Sequence, residues 1–315
     1  EPTLATVCSR LAVVDPGELA ALVTELLDGL DVTGRWVLFK LLAGELGIGV
    51  TARLAKAAAA ALAATPVDAA AVEAVDAVLP GLRPPYRELF AWLEQRGPPP
   101  PSYDAAQFKS LMTAQPLSIA ELDGLDLADF LVEWKWDGLR VELATAGGRQ
   151  RLYSSDGGDI SGGFPDLLGG WPDGVVADGV LLIVAGGEVR AYGQLLSRLN
   201  RKAPSTALLA KYPAHLRLHD LLVVDGEDLR QLPLDQRRQR LETWHQLIAP
   251  PNSSLSEAVA VDDRRQLAAI CIGSRRIGID GLMLKRTASR YVAGHPHGQW
   301  YKLKRPPLKA NCVVL

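Results

Sequence analysis

An all-α N-terminal domain followed by an α+β domain with antiparallel sheets is the fold class this sequence predicts, and three observations predict it. Residues 1–97 carry apolar residues at helical spacing and an alanine tract. Pro98 to Pro101 are four consecutive prolines, which cannot extend a helix or join a central strand and favour a stiff connector. Beyond residue 108, short β-like runs alternate with turn signals and a few helices. The expected division is therefore 1–97, a linker over 98–107, and a second domain over 108–315.

In the first domain Leu19, Leu22, Val23, Leu26 and Leu27 recur at helical spacing behind Asp15-Pro16, a cap followed by a first-turn proline. Further helices are expected over Arg35–Leu42, from Thr51 through the Ala55–Ala64 tract, over Asp68–Val78 and over Tyr86–Gln95. The alanine tract needs no function, because alanine has the best helix propensity. In the second domain the expected strands are Leu131–Trp136, Leu139–Ala144, Gln150–Ser154, Gly174–Ala177, Leu181–Ala185, Val189–Tyr192, Leu216–Val223, Leu282–Lys285 and Trp300–Lys304. Helices are expected at Gln194–Leu199, Ser205–Tyr212, Leu234–Leu247 and Asp262–Arg275.

Bulk properties remove several function classes. No run of about 20 apolar residues exists, so no membrane span is expected, and no basic stretch followed by an apolar block marks a secretory leader. Cys8, Cys271 and Cys312 are odd in number and scattered, which fits a reducing cytoplasm and neither a disulfide framework nor a metal pattern. The net charge of −2 argues mildly against a nucleic-acid partner. Local patches count for more: Arg198, Arg201 and Lys202 cluster in one segment, and Arg290, Lys302, Lys304, Arg305 and Lys309 in another.

The chemistry concentrates in Glu133-Trp134-Lys135-Trp136-Asp137-Gly138-Leu139-Arg140. Strand alternation puts Glu133 and Lys135 on one face and the tryptophans on the other, core-facing side. Asp137-Gly138 between two alternating runs reads as a hairpin turn. On local physics alone Glu133 and Lys135 are an ordinary solvated ion pair. Yet Lys-x-Asp-Gly-x-Arg fixes four positions, a match that chance gives in under about 1% of chains this long. It resembles the nucleotidyltransferase signature shared by DNA ligases, RNA ligases and mRNA capping enzymes. The resemblance implies that Lys135 attacks the α-phosphate of ATP and becomes lysyl-AMP. It also implies that Glu133 and Trp134 lie at the nucleotide, with Glu133 on the adenine edge, and that Arg140 meets the ribose or phosphates. A free lysine amine keeps its proton to about pH 10, so such a nucleophile calls for desolvation, neighbouring cations or a metal ion.

Further segments follow in the order of the ATP-dependent DNA ligases. Leu152 to Ile160, with Phe164-Pro165 behind it, is similar to the next ligase motif, with Ser155 where the family has an arginine that contacts the ribose or the DNA end. Ala177-Asp178-Gly179-Val180-Leu181 resembles the Asp-Gly-Glu motif, with Val180 in place of the glutamate that binds ribose and assists the metal; by itself Asp178-Gly179 fits a plain hairpin turn equally well. In Leu218-His219-Asp220-Leu221-Leu222, His219 takes the place of the aromatic residue that stacks on adenine. Ile279-Asp280-Gly281-Leu282-Met283-Leu284-Lys285 resembles Glu-Gly-x-Met-x-Lys. The resemblance makes Asp280 a ligand of Mg²⁺, a hard cation held by oxygens, and puts Met283 and Lys285 at the nucleotide. In Trp300-Tyr301-Lys302-Leu303-Lys304, alternation gathers Trp300, Lys302 and Lys304 on one face. Two like charges repel there, and a bound α-phosphate would relieve them.

Tyr192 to Lys202 resembles another ligase segment, whose Arg198, Arg201 and Lys202 would meet DNA phosphates; a solvated helix face explains them as well. Leu38 to Leu54 resembles the signature of the helical DNA-binding domain, with Gly47 and Gly49 allowing close backbone approach to phosphate. The whole implies an ATP-dependent DNA ligase acting with ATP and Mg²⁺ on nicked double-stranded DNA, as a monomer in a bacterial cytoplasm. The family adds an OB-fold domain after the last motif, which is expected to be absent from this sequence, so that this stretch alone adenylates slowly or not at all. Two other readings stay open. The replacements at Ser155, Val180 and Asp280 suit a weakened module that still binds nicks, and the signature also suits an RNA ligase or capping enzyme, against which the helical N-terminal portion speaks.

Overall fold

A computed structural model of the chain describes residues 2–15, 17–42, 49–50, 52–63, 69–79, 82, 85–100, 106–199, 201, 203–274 and 277–305. The chain divides into two compact units, Glu1–Ala58 and Ala59–Leu315, a division that falls ahead of the proline stretch at which the sequence suggests a boundary. The first unit holds α1 (Leu4–Val13), α2 (Leu19–Asp28), α3 (Val32–Leu42) and most of α4 (Ala52–Ala60). Val7, Leu22, Leu26 and Leu38 form its core, and Arg10 Nη1 donates to Glu25 Oε1 at 2.8 Å between α1 and α2. The helix α1, capped by the Thr3 hydroxyl, was not expected. Next come α5 (Ala69–Val78) and α6 (Arg87–Leu93), packed around Ala60, Val75, Leu89 and Leu93. Among the described residues no strand precedes Gln115.

The rest of the second unit is built on two mainly antiparallel sheets. One is four-stranded, in the order β1 (Gln115–Leu117), β11 (Trp300–Lys304), β10 (Ile279–Arg286), β2 (Phe130–Trp136). The other runs β4 (Arg149–Ser154), β3 (Leu139–Ala146), β5 (Val175–Ala185), β7 (Ala214–Val224), β8 (Glu227–Asp228), with β6 (Glu188–Val189) on β5 and β9 (Ser253–Leu255) on β7. Alternation along these strands builds two faces. Val141, Leu143, Ala177, Leu181, Leu216 and Leu218 pack against Leu195 of α7 (Tyr192–Leu199) and against Leu241 and Trp244 of α9 (Leu234–Ile248). Ala144, Val176 and Leu222 face the other way and pack with Met112, Tyr291 and Trp300. Leu282, Leu284 and Leu303 of the four-stranded sheet bury their other side against Leu267 and Cys271 of α10 (Arg264–Gly273). One short helix, α8 (Thr206–Lys211), completes the unit.

Three local expectations are corrected. Asp137-Gly138 is not a hairpin turn: β2 and β3 belong to different sheets, so it is where the chain crosses between them. A Cβ on Gly138 would lie 2.6 Å from the Leu181 carbonyl oxygen, so the crossing needs the bare backbone of glycine. Asp178-Gly179 is not a turn either. It lies inside β5, which pairs with β3 on one side and β7 on the other, and ladders on both edges outweigh a local turn preference. The strand expected over Val189–Tyr192 stops at Val189, and Tyr192 starts α7.

Candidate functional site

Strand register lays the site out in rows on one face of the four-stranded sheet. Lys135 stands opposite Gly281, and Gly281 opposite Lys304. The next row is Glu133, Met283, Lys302, and the third is Leu131, Lys285, Trp300. A register shift between Ile279 and Gly281 brings the Asp280 carboxylate to the first row. There Asp280 Oδ2 accepts from Lys135 Nζ at 2.7 Å and stands 3.6 Å from Lys304 Nζ. Gly281 has φ +150, and a Cβ there would collide with the Leu303 carbonyl oxygen, so this strand can approach β11 only as glycine.

In the second row Glu133 is buried, and both its oxygens are taken: Oε2 lies 2.6 Å from Lys285 Nζ, and Oε1 accepts from Arg238 Nη1 of α9 at 2.8 Å. Trp300, fully buried, is the hub of the third row. Lys285 Nζ lies 4.7 Å from its ring centre and Arg140 Cζ 5.6 Å, while Tyr291 meets it edge-on. Truncating so large a buried ring costs about 3–5 kcal/mol.

On the seven-stranded sheet the facing residues are Arg140, Asp178 and His219. Arg140 grips Asp178 in a fork, Nε to Oδ1 at 3.1 Å and Nη2 to Oδ2 at 2.6 Å. Tyr291 Oη donates to Oδ2 at 2.7 Å, and His219 Nε2 lies 3.3 Å from Oδ1. Burial alone would raise the Asp178 carboxyl, but the charge of Arg140, then the attraction of His219 wherever its ring is protonated, and the hydrogen bonds from Arg140 and Tyr291 bring it down to about 2. Burial lowers His219 well below the ordinary histidine range, against the pull of Asp178 and with the help of Lys285, Arg140 and Arg238. The imidazole is therefore neutral at pH 7. Burial likewise raises the Tyr291 hydroxyl, reinforced by Asp178, so it stays a donor. Desolvation also raises the Asp280 carboxyl, but hydrogen bonding to Lys135 and the charges of Lys135 and Lys304 outweigh it and leave it below the usual carboxylate value.

The remaining expected residues fall as follows. Trp134 lies on the opposite face of β2 from Lys135, packed against the α10 core. His219 is buried and meets Trp300 edge-on, at 80° and 6.3 Å between ring centres. Val180 stands in register between Arg140 and Arg217 and packs with Trp136, Leu182 and Ile279. Ser155 is exposed in the turn after β4. Arg198 is a correction: it is fully buried, donating to Gly163 O at 2.9 Å and Tyr212 O at 2.7 Å and pairing with Asp166, so its guanidinium serves the fold and has no face for a DNA phosphate. Arg201 is exposed, Gly49 is exposed with φ +74 and open space around it, and Gly47 and Lys202 lie outside the described residues. Among the described residues no three His, Cys, Asp or Glu side chains converge as a metal cage, and no helix is long and apolar enough to cross a membrane.

Sequence reading missed Tyr291 and Arg238. Their partners Asp178 and Glu133 are 113 and 105 residues away, so no local pattern announces them.

Residues 111–304 match the family model for the ATP dependent DNA ligase domain, well over half of the chain. A probable DNA ligase of Opitutus terrae is 31% identical over 219 residues, and the DNA ligase of Archaeoglobus fulgidus 27% identical over 209. These alignments cover 60% and 65% of this chain, which spans only 22% and 37% of the two relatives' lengths. Among solved structures, mycobacterial DNA ligase D complexed with ATP and MES aligns at 27% identity with a TM-score of 0.50, over 62% of this chain and 60% of that one.

Proposed function

The chain belongs to the ATP-dependent DNA ligase family, and on that premise we propose that it carries the adenylation chemistry of nick sealing, with Lys135 as nucleophile. Lys135 Nζ attacks the α-phosphorus of ATP. The P–N bond forms, the bond from the α-phosphorus to the bridging oxygen breaks, and pyrophosphate leaves. Two protons leave the nitrogen for solvent, one before the attack and one after it. The resulting lysyl-AMP passes AMP to the 5′-phosphate of a nick, and the 3′-hydroxyl then displaces AMP as the strand is sealed. The observation that carries this reading is the convergence of Lys135 and Lys304 on one oxygen of Asp280, in a row flanked by Lys302. Two ammonium groups held within reach of one another suit a polyphosphate, whose oxygens would replace the carboxylate as their partner.

A divalent ion fits only in part. Asp280 offers one carboxylate, and Val180 offers none. Mg²⁺ is commonly held by one or two carboxylates together with substrate phosphates, so Asp280 and the nucleotide would hold it. Once bound it would neutralise charge on the departing pyrophosphate. Residues 1–97, including Gly47 and Gly49, together with Arg201 and Lys202, would grip nicked duplex, and the chain would act as a single copy in a reducing bacterial cytoplasm.

The test is intact-mass spectrometry after incubation with ATP and Mg²⁺. A slow gain of one AMP, abolished by Lys135→Ala, is expected; an adduct that survives Lys135→Ala overturns the assignment. A second reading, a nick-binding module with little adenylation, is favoured by the apolar packing of Val180. It predicts a gel shift with nicked over intact duplex and no adduct. Under the enzyme reading, Val180→Glu speeds adduct formation at least tenfold, since one well-placed charged or polar group is commonly worth about 10²–10³ in rate.

A further inference from the structure

Asp178 is fully buried, and its carboxylate is fixed from three directions: by Arg140, by His219 and by the hydroxyl of Tyr291. Tyr291 lies in the segment between β10 and β11 and is itself buried. Its ring is clamped independently of the hydroxyl, edge-on to Trp300 at 5.8 Å and under the Arg237 guanidinium at 5.5 Å. Arg237 is held in turn by Asp220, in a fork with both contacts at 2.9 Å. The hydroxyl therefore sits on a rigid mount. It donates to Oδ2, the oxygen that also receives Arg140 Nη2, and accepts a long hydrogen bond from Nη2 itself at 3.4 Å. Arg140 keeps 22% of its side chain exposed, so part of it stays open to a ligand.

We propose that Tyr291 is a positioning residue for nucleotide binding: through Asp178 its hydroxyl sets the plane in which Arg140 meets the ribose and phosphates. This rests on the nucleotide reading of the site. Packing alone does not ask for the hydroxyl, because the ring contacts would survive in phenylalanine. A guanidinium held by two contacts to one carboxylate can still tilt about that fork, and a third donor anchored on a separate segment stops the carboxylate from moving with it. Burial keeps the hydroxyl protonated and thus a donor across the working pH range.

The experiment compares Tyr291→Phe with the native residue in the full chain carrying Lys135→Ala, which prevents turnover, and reads ATP dissociation constants by calorimetry. One hydrogen bond to a charged group predicts a Kd raised about tenfold. In an Arg140→Gln background the same change should move Kd less than about twofold, because the intermediary is gone. An unchanged Kd, or an equal loss in both backgrounds, overturns the proposal. A second measurement needs no nucleotide: phenylglyoxal modification of Arg140, mapped by peptide mass spectrometry, should run faster in Tyr291→Phe, and an unchanged rate overturns the tether. Absence of ATP binding in the Lys135→Ala chain would sink the nucleotide reading and leave the Arg140 rate to decide whether the tether exists.

Discussion

Asp178 and Glu142 face each other across β5 and β3, and burial treats them in opposite ways. Asp178, with three donor side chains, is held down at about 2. Glu142 receives only the Lys109 amide, at 2.6 Å on Oε1, and has no hydrogen bond on Oε2 among the described residues. Desolvation, with Asp178 nearby, therefore pushes it well above the ordinary glutamate value. The signs for stability differ accordingly. The Glu142 contribution is fully present below the unfolded-state value near 4.5 and is lost as pH rises through the raised value. Glu142→Gln should therefore melt like the native chain at pH 4 and higher than it at pH 8; a constant offset across that range would refute the assignment. The Asp178 contribution is present above 3.8 and lost as pH falls towards 2. Asp178→Asn at pH 7 leaves Arg140 without its counter-charge and should cost about 3–5 kcal/mol in denaturant unfolding.

At the scale of elements, the crossing at Gly138 and the close pairing of β10 with β11 depend on missing side chains. Gly138→Ala has nowhere to put its methyl group, and such overpacking costs about 1–3 kcal/mol, readable as a lower urea midpoint; an unchanged midpoint would mean that the crossing relaxes freely. This junction also shows where sequence reading reaches its limit. The strands carrying Lys135, Arg140 and Lys302 were legible from alternation and from motif resemblance, because each side chain's face depends on its immediate neighbours; Asp280 lies ahead of the strand expected over Leu282–Lys285 and reaches its row only through a register shift. That Asp137-Gly138 joins two sheets was not legible, since the local signal of a hairpin and of a crossing is the same. Arg198 misled for a related reason. A helix-borne arginine beside Arg201 looks like a phosphate ligand, and only Asp166 and Gly163, 32 and 35 residues away, reveal it as a buried strut. The continuity of β5 through Asp178-Gly179 depended on partners on both edges, which no local window contains.

For the whole molecule, the two sheets differ in how the chain supplies them. The seven-stranded sheet draws on one contiguous stretch, from Leu139 to Leu255. The four-stranded sheet takes β1 and β2 from before that stretch and β10 and β11 from after it. Contacts between distant segments are slow to form because loop closure costs entropy before pairing compensates it. During refolding, amides of β3, β5 and β7 should therefore gain protection before those of β2 and β10 in pulsed hydrogen exchange; simultaneous protection would refute this order. On a ribosome the same geometry becomes a matter of timing. The lysine at position 135 has neither Asp280 nor Lys304 beside it until nearly 170 further residues have been added. Throughout that stretch of synthesis the Lys135 amine stands without the carboxylate and the second amine that share its row in the fold.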